Sequence, residues 1–90
     1  MYLHLGKGTI VREDEVVGIF DLDITSQSHL TRAYLAQAEK AGQVVNAAED
    51  LPKTFVVCKN KEKTTVYLSQ MASATLLRRA ESSDLVSEGL

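Results

Sequence analysis

Thr54-Phe55-Val56-Val57-Cys58-Lys59-Asn60-Lys61-Glu62-Lys63-Thr64-Thr65-Val66-Tyr67-Leu68-Ser69 sets two strand-length runs around a polar turn. The first run, Thr54–Cys58, is almost wholly apolar and rich in residues that favour strands, so it reads as a strand covered on both faces. Asn60–Lys63 carries turn chemistry, and Thr64–Ser69 is the returning partner. This hairpin is the centre from which the rest of the chain is read.

Upstream, Pro52 lacks the N–H that a central strand needs, so Glu49–Lys53 reads as a loop. Gln43–Asn46 is a short strand. Before it lies the clearest helical signal, Ser28 to Ala41, with Leu30, Tyr34, Ala38 and Ala41 on one face and Leu35 widening it. Thr25, Ser26 and Ser28 offer cap oxygens at its start, and Gly42 sits where a glycine ends a helix. At the N-terminus, Tyr2-Leu3-His4-Leu5 alternates with period two, Gly6-Lys7-Gly8 turns, and Ile10-Val11 begins a second strand. Arg12–Glu15 is a charged link, and Val16–Phe20 a third strand. Downstream, a second helix is predicted from about Ala72 to Ser82, with Leu76, Leu77 and Ala80 inward. The predicted order is β-β-β-α-β-β-β-α. It implies an α+β fold: a small, mainly antiparallel sheet covered on one face and packed against two helices. The expected domain spans 1–82, with 83–90 a frayed tail.

Ninety residues make one domain with one small core. Hydrophobic residues at 44% and charged residues at 24% describe a globular chain, not a disordered one. No apolar run approaches the ~20 residues needed to span a bilayer, and no signal peptide is visible, so a reducing cytoplasm is expected. Cys58 is the sole cysteine, which excludes an internal disulfide and a cysteine-based zinc site. The net charge of −2 argues against a histone-like DNA coat but allows a local basic patch.

No catalytic constellation emerges. His4 and His29 have no partners at ligand spacing, so no metal is expected. Cys58 reads as a small buried hydrophobe, and a base for it would have to come from a distant histidine. Asp21 and Asp23 flank Leu22 and more simply form a solvated strand end than a cation site. Gly6-Lys7-Gly8 lacks the third glycine and the following helix of a nucleotide fingerprint. The chain reads as non-enzymatic, with no cofactor, no small-molecule ligand and no membrane partner expected.

The cations are more informative. Lys53, Lys59, Lys61 and Lys63 lie on the strand-hairpin-strand unit, and Arg78-Arg79 on the second helix; these six are the candidate DNA contacts. Lysines around a hairpin equally serve solubility and edge protection. A small sheet keeps two edges, and Leu3, Leu5, Val17, Ile19 and Phe20 form an apolar set too large for two short helices to cover. Both features predict a homo-oligomer.

Several segments together carry a resemblance. Tyr2–Gly6, Val17-Gly18-Ile19-Phe20-Asp21, Pro52-Lys53-Thr54, Tyr67-Leu68-Ser69 and Ala74–Ala80 occur in the order and at the offsets of the RemA/RemB family of bacterial extracellular matrix regulatory proteins, and the chain resembles its RemB-like branch over about residues 1–80. The resemblance implies a non-enzymatic, cytoplasmic protein tied to expression of biofilm-matrix genes. It also implies, from the RemA branch, a DNA-binding transcriptional regulator assembled as a ring. That branch has an arginine pair where this chain has Leu51 and Pro52, and a third-strand arginine near Glu15. A cationic fork is thus replaced by an aliphatic and an imino acid, and another cation by an anion. Lys53 keeps a charge in that loop. Two functions stay open: an oligomeric DNA-binding regulator, and an oligomeric interaction module that acts on another regulator without touching DNA.

Overall fold

The computed structural model describes residues 2–22 and 28–80. Strands β1 (Tyr2–Gly6), β2 (Thr9–Arg12) and β3 (Val16–Asp21) precede helix α1 (His29–Lys40). Strands β4 (Val44–Asn46), β5 (Thr54–Lys59) and β6 (Thr64–Ser69) follow, and a second helix, α2, occupies 73–80. The order matches the sequence reading. The charged link folds as a short 3-10 turn, Glu13–Glu15. Residues 81 and 82 of the expected second helix, the 83–90 tail, and the Thr25 and Ser26 caps lie outside the described residues. Ser28 does cap α1, its hydroxyl accepting from the Thr31 N–H at 3.4 Å.

The strands form two sheets rather than one. β1 and β2 are an antiparallel hairpin on their own, and the four-stranded sheet runs β3-β5-β6-β4. β5 is antiparallel to both neighbours, with Phe20 opposite Phe55 and Phe55 opposite Leu68. β4 joins β6 in parallel because α1 makes the crossover back across the sheet.

The expectation of one covered face is overturned. The β1–β2 hairpin folds over the face that carries Val56 and Cys58, where Leu3, Leu5, Val11 and Leu76 complete a core. α1 lies on the opposite face, where Ala38 packs with Phe55, Val57 and Val66. All five residues of Thr54–Cys58 are therefore buried. The alternation of Tyr2–Leu5 holds: Leu3 and Leu5 are buried, Tyr2 and His4 exposed.

Buried polar groups tie the hairpin down. The Ser69 hydroxyl donates to the Leu5 carbonyl at 2.8 Å and accepts from the Met71 N–H at 3.1 Å. Gly6 allows this close packing. Its φ is +122°, and a Cβ there would lie 3.0 Å from the Ala47 carbonyl oxygen.

Two inward assignments fail. On α1, Ala38 is buried and Leu35 half-buried, but Leu30 is 78% exposed, and Tyr34 and Ala41 are also exposed. The helix tilts its C-terminal half onto the sheet and leaves the N-terminal part of its apolar face open. On α2, Leu76 is buried while Leu77 is 46% exposed. Adjacent helical residues point about 100° apart, and α2 turns Leu76 into the core and Leu77 toward the open surface beside β3.

Candidate nucleic-acid interface

All six candidate cations, Lys53, Lys59, Lys61, Lys63, Arg78 and Arg79, are exposed. Among the described residues the sole salt bridge joins Arg12 to Asp14 at 2.8 Å, so none of the six is neutralised by direct ion pairing there. Arg12 itself is held by two bonds to the Asp14 carboxylate, which push its pKa further up.

The fold divides these cations into groups that sequence proximity joins. Lys53 precedes β5 and Lys59 ends it, so an extended segment of six steps separates them by roughly 20 Å. They stand at opposite ends of the sheet.

Lys53 belongs to an anchored loop. Its N–H donates to the Ser69 carbonyl, and its carbonyl accepts from the Leu22 N–H, both at 2.8 Å. Upstream, the Gln70 side-chain oxygen accepts from the N–H groups of Glu49 and Asp50 at 2.8 and 3.1 Å. The lysine side chain thus projects from fixed backbone. Pro52 suits this loop because no backbone donor is required at that position.

Lys59, Lys61 and Lys63 share the β5–β6 hairpin. Its turn is built by Asn60, whose side-chain oxygen accepts from the N–H groups of Glu62 and Lys63, both at 2.9 Å. The backbone bond from Asn60 to the Lys63 carbonyl closes it at 3.0 Å. Sequence spacing could not show what lies beside this turn. Because Val16 pairs with Cys58, the acidic turn before β3 comes up against the lysine hairpin. Glu15 lines one shallow depression with Asn60, Lys61 and Glu62, and a neighbouring one with Asp14, Lys59 and Lys61. The positive field of the hairpin is therefore partly offset by anions from another strand.

Arg78 and Arg79 form the third group, on the exposed side of α2. Arg79 donates to the Met71 sulfur at 3.7 Å, a weak contact that leaves the guanidinium in solvent.

The residues considered for chemistry do not converge. Cys58 is buried, and burial, then Glu15, pushes its thiol up to about 11. Such a thiol is protonated at neutral pH and a poor nucleophile. Burial also raises the neighbouring Tyr67 phenol. His4 and His29 are exposed on β1 and in the first turn of α1. The Asp21 carboxylate accepts from the Ser73 hydroxyl at 3.4 Å, which ties β3 to α2. Asp23 lies outside the described residues. Among the described residues no group of three His, Cys, Asp or Glu side chains could hold a metal, and no helix is long and apolar enough to cross a membrane.

The feature that sequence reasoning missed is apolar. Val17, Phe20, Leu30 and Tyr34 surround an open groove floored by Phe55 and Val57. Phe20 stacks on Phe55 with ring centroids 4.9 Å apart. It also folds back over Gly18, where a Cβ would meet the ring at 2.6 Å. The available signal is the excess of apolar residues in Val17–Phe20, which points to a partner without locating it.

Comparison with known proteins identifies relatives along nearly the whole chain. The family model described as RemA-like, extracellular matrix regulatory protein A-like, matches residues 2–80. Extracellular matrix regulatory protein B of Bacillus subtilis (strain 168) is 32% identical over 81 residues, covering 90% of this chain and 91% of that protein. The match runs through both sheets, the anchored loop, the lysine hairpin and the second helix, and the family is regulatory rather than enzymatic by description. A small α+β fold with exposed cations, an open apolar groove and a match along nearly its whole length places this chain in the RemA-like family of extracellular matrix regulatory proteins.

Proposed function

We propose that this chain regulates extracellular-matrix and biofilm genes by binding duplex DNA as a ring-like homo-oligomer in the cytoplasm. The observation that carries the reading is the set of exposed cations, Lys53, Lys59, Lys61, Lys63, Arg78 and Arg79, none of them in an ion pair among the described residues. One subunit offers few phosphate contacts, and the nearby Glu15 weakens the hairpin's share. A ring repeats them, and linked weak contacts gain through effective concentration. Phosphate contacts carry no base information, so sequence preference arises from DNA shape and bending.

A second reading has its own support. Leu51 and Pro52 stand in place of an arginine pair, and Glu15 sits beside Lys61. Both favour an oligomeric interaction module that acts on another regulator without DNA.

DNA titration of the parent separates the two, and alanine variants then locate the contact. If DNA is bound, Lys53→Ala, or Lys61→Ala with Lys63→Ala, weakens binding to all sequences about equally. Removing one cation from a phosphate flattens the slope of log affinity against log salt by about 0.9. If those variants bind like the parent while Arg78→Ala and Arg79→Ala abolish binding, α2 carries the contact. If none of these substitutions changes binding, the six-cation assignment fails.

A further inference from the structure

The apolar groove on the α1 side of the sheet ends at a positive charge. Phe55, Val57 and Lys59 share one face of β5, because alternate residues of a strand point the same way. Phe55 and Val57 floor the groove. Lys59 is next in that row, and it lines a depression that shares Val17 with the groove. From Phe55 to Lys59 the row spans roughly 13 Å. Leu30 and Tyr34 wall one side of this trough, and Val17 and Phe20 the other.

The walls are fixed by packing. The Phe20 ring stacks on Phe55, and Gly18, having no side chain, lets that ring lie back over β3. The groove encloses about 350 Å³, within the range of small-molecule sites, which are mostly apolar with a few polar groups to fix orientation. The other charges at the Lys59 end do not cancel it. Asp14 is already paired with Arg12 at 2.8 Å. Glu15 is shared with the opposite face, where it lies beside Tyr2, Ile10 and Tyr67 and raises the Cys58 thiol. Lys61 adds a second exposed cation to the same depression.

We infer that this groove binds a free fatty-acyl anion, with its alkyl chain along Val57 and Phe55 and its carboxylate at Lys59. The chain removes the exposed apolar walls from water, and the head meets the one charge in line with the floor. A cationic amphiphile of the same length would bring its head against Lys59. No such site is legible in the sequence, because β3, β5 and α1 assemble it from separate segments. The inference goes beyond DNA binding and does not depend on it.

The test is calorimetric titration of the full chain, without DNA, with dodecanoate, decanoate and dodecyltrimethylammonium, each below its micelle concentration. Circular dichroism confirms that the protein stays folded. Dodecanoate is expected to bind about fivefold more tightly than dodecyltrimethylammonium, as an exposed ion pair allows. This preference runs against the net charge of −2, which by itself favours the cation. Decanoate is expected to bind about fourfold more weakly than dodecanoate, since a methylene buried on one side contributes about half of its full transfer energy. Lys59→Glu is expected to reverse the preference between the two heads. Leu30→Ser, at an exposed position, is expected to weaken both dodecyl compounds alike. No binding of dodecanoate, a parent that prefers the cation, or an unchanged preference in Lys59→Glu each overturns the site. Sedimentation with phosphatidylglycerol vesicles that Leu30→Ser abolishes, without binding of dodecanoate, assigns the groove to a membrane surface and also overturns it.

Discussion

The two faces of the four-stranded sheet are finished to different degrees. On one face the N-terminal hairpin and α2 close over β5, and Leu3, Leu5, Val56 and Leu76 are all but inaccessible to water. On the other face α1 covers Val66 and part of Phe55 but leaves Leu30, Tyr34, Val17 and Phe20 around an open groove. The closed face supplies the stability of the single chain. The open face and its neighbouring edge hold apolar surface that the described part of one copy does not bury. Substitutions should therefore split into those that unfold the protein and those that change only its associations.

The closed face should give the largest effect on stability. Leu5 is fully buried, and Leu5→Ala is expected to cost about 2–5 kcal/mol in denaturant unfolding, from the forfeited transfer energy and the cavity left behind. A cost below ~1 kcal/mol would mean that the hairpin does not seal the core. Gly6→Ala comes next, at about 1–3 kcal/mol, because the new side chain meets both an unfavourable φ of +122° and the Ala47 carbonyl oxygen at 3.0 Å.

Cys58 sharpens the contrast through pH. Its thiol is held up to about 11 in the fold against an ordinary value of 9.0, first by burial and then by Glu15. The folded state thus favours the neutral thiol. Its contribution is full below pH 9, falls as the unfolded thiol ionises, and is lost once pH passes about 11. Unfolding free energy measured across that window should decline, and Cys58→Ala should make the decline shallower.

The open face should give the smallest effect on the fold. Leu30→Ser is expected to change stability by less than ~0.5 kcal/mol, since Leu30 is 78% exposed. The same variant should lower the apparent mass at micromolar concentration if the groove is covered on assembly. A large loss of stability would show that the open face belongs to the single-chain core after all.

Local pattern carried much of this fold. Alternation located β1, the β-branched runs located β5 and β6, and Ser28 and Gly42 bracketed α1 as capping chemistry requires. Long-range placement was less legible. Period-two alternation says which residues of Tyr2–Leu5 share a face, but the same pattern suits a strand within the main sheet or a hairpin laid across it. Helical periodicity identified the apolar face of α1, yet the tilt that leaves Leu30 and Tyr34 uncovered depends on contacts far away in sequence. The candidate site shows the same limit. Lys53 and Lys59 are close in the chain, but the strand between them holds them at opposite ends of the sheet. Glu15 is distant in the chain and reaches the hairpin through the pairing of β3 with β5. The family resemblance did not depend on such placements, because it rests on short segments in order.

The central claim is that repeated, exposed cations let the assembled protein hold DNA despite a net charge of −2 per chain. It is tested most directly by titrating the parent protein into promoter-length and random duplex DNA at low and moderate salt. The account predicts binding to both duplexes at low salt, with affinity falling steeply and linearly in log salt as bound counterions are released. No binding of either duplex at low salt and micromolar protein would contradict it and leave the interaction module as the function.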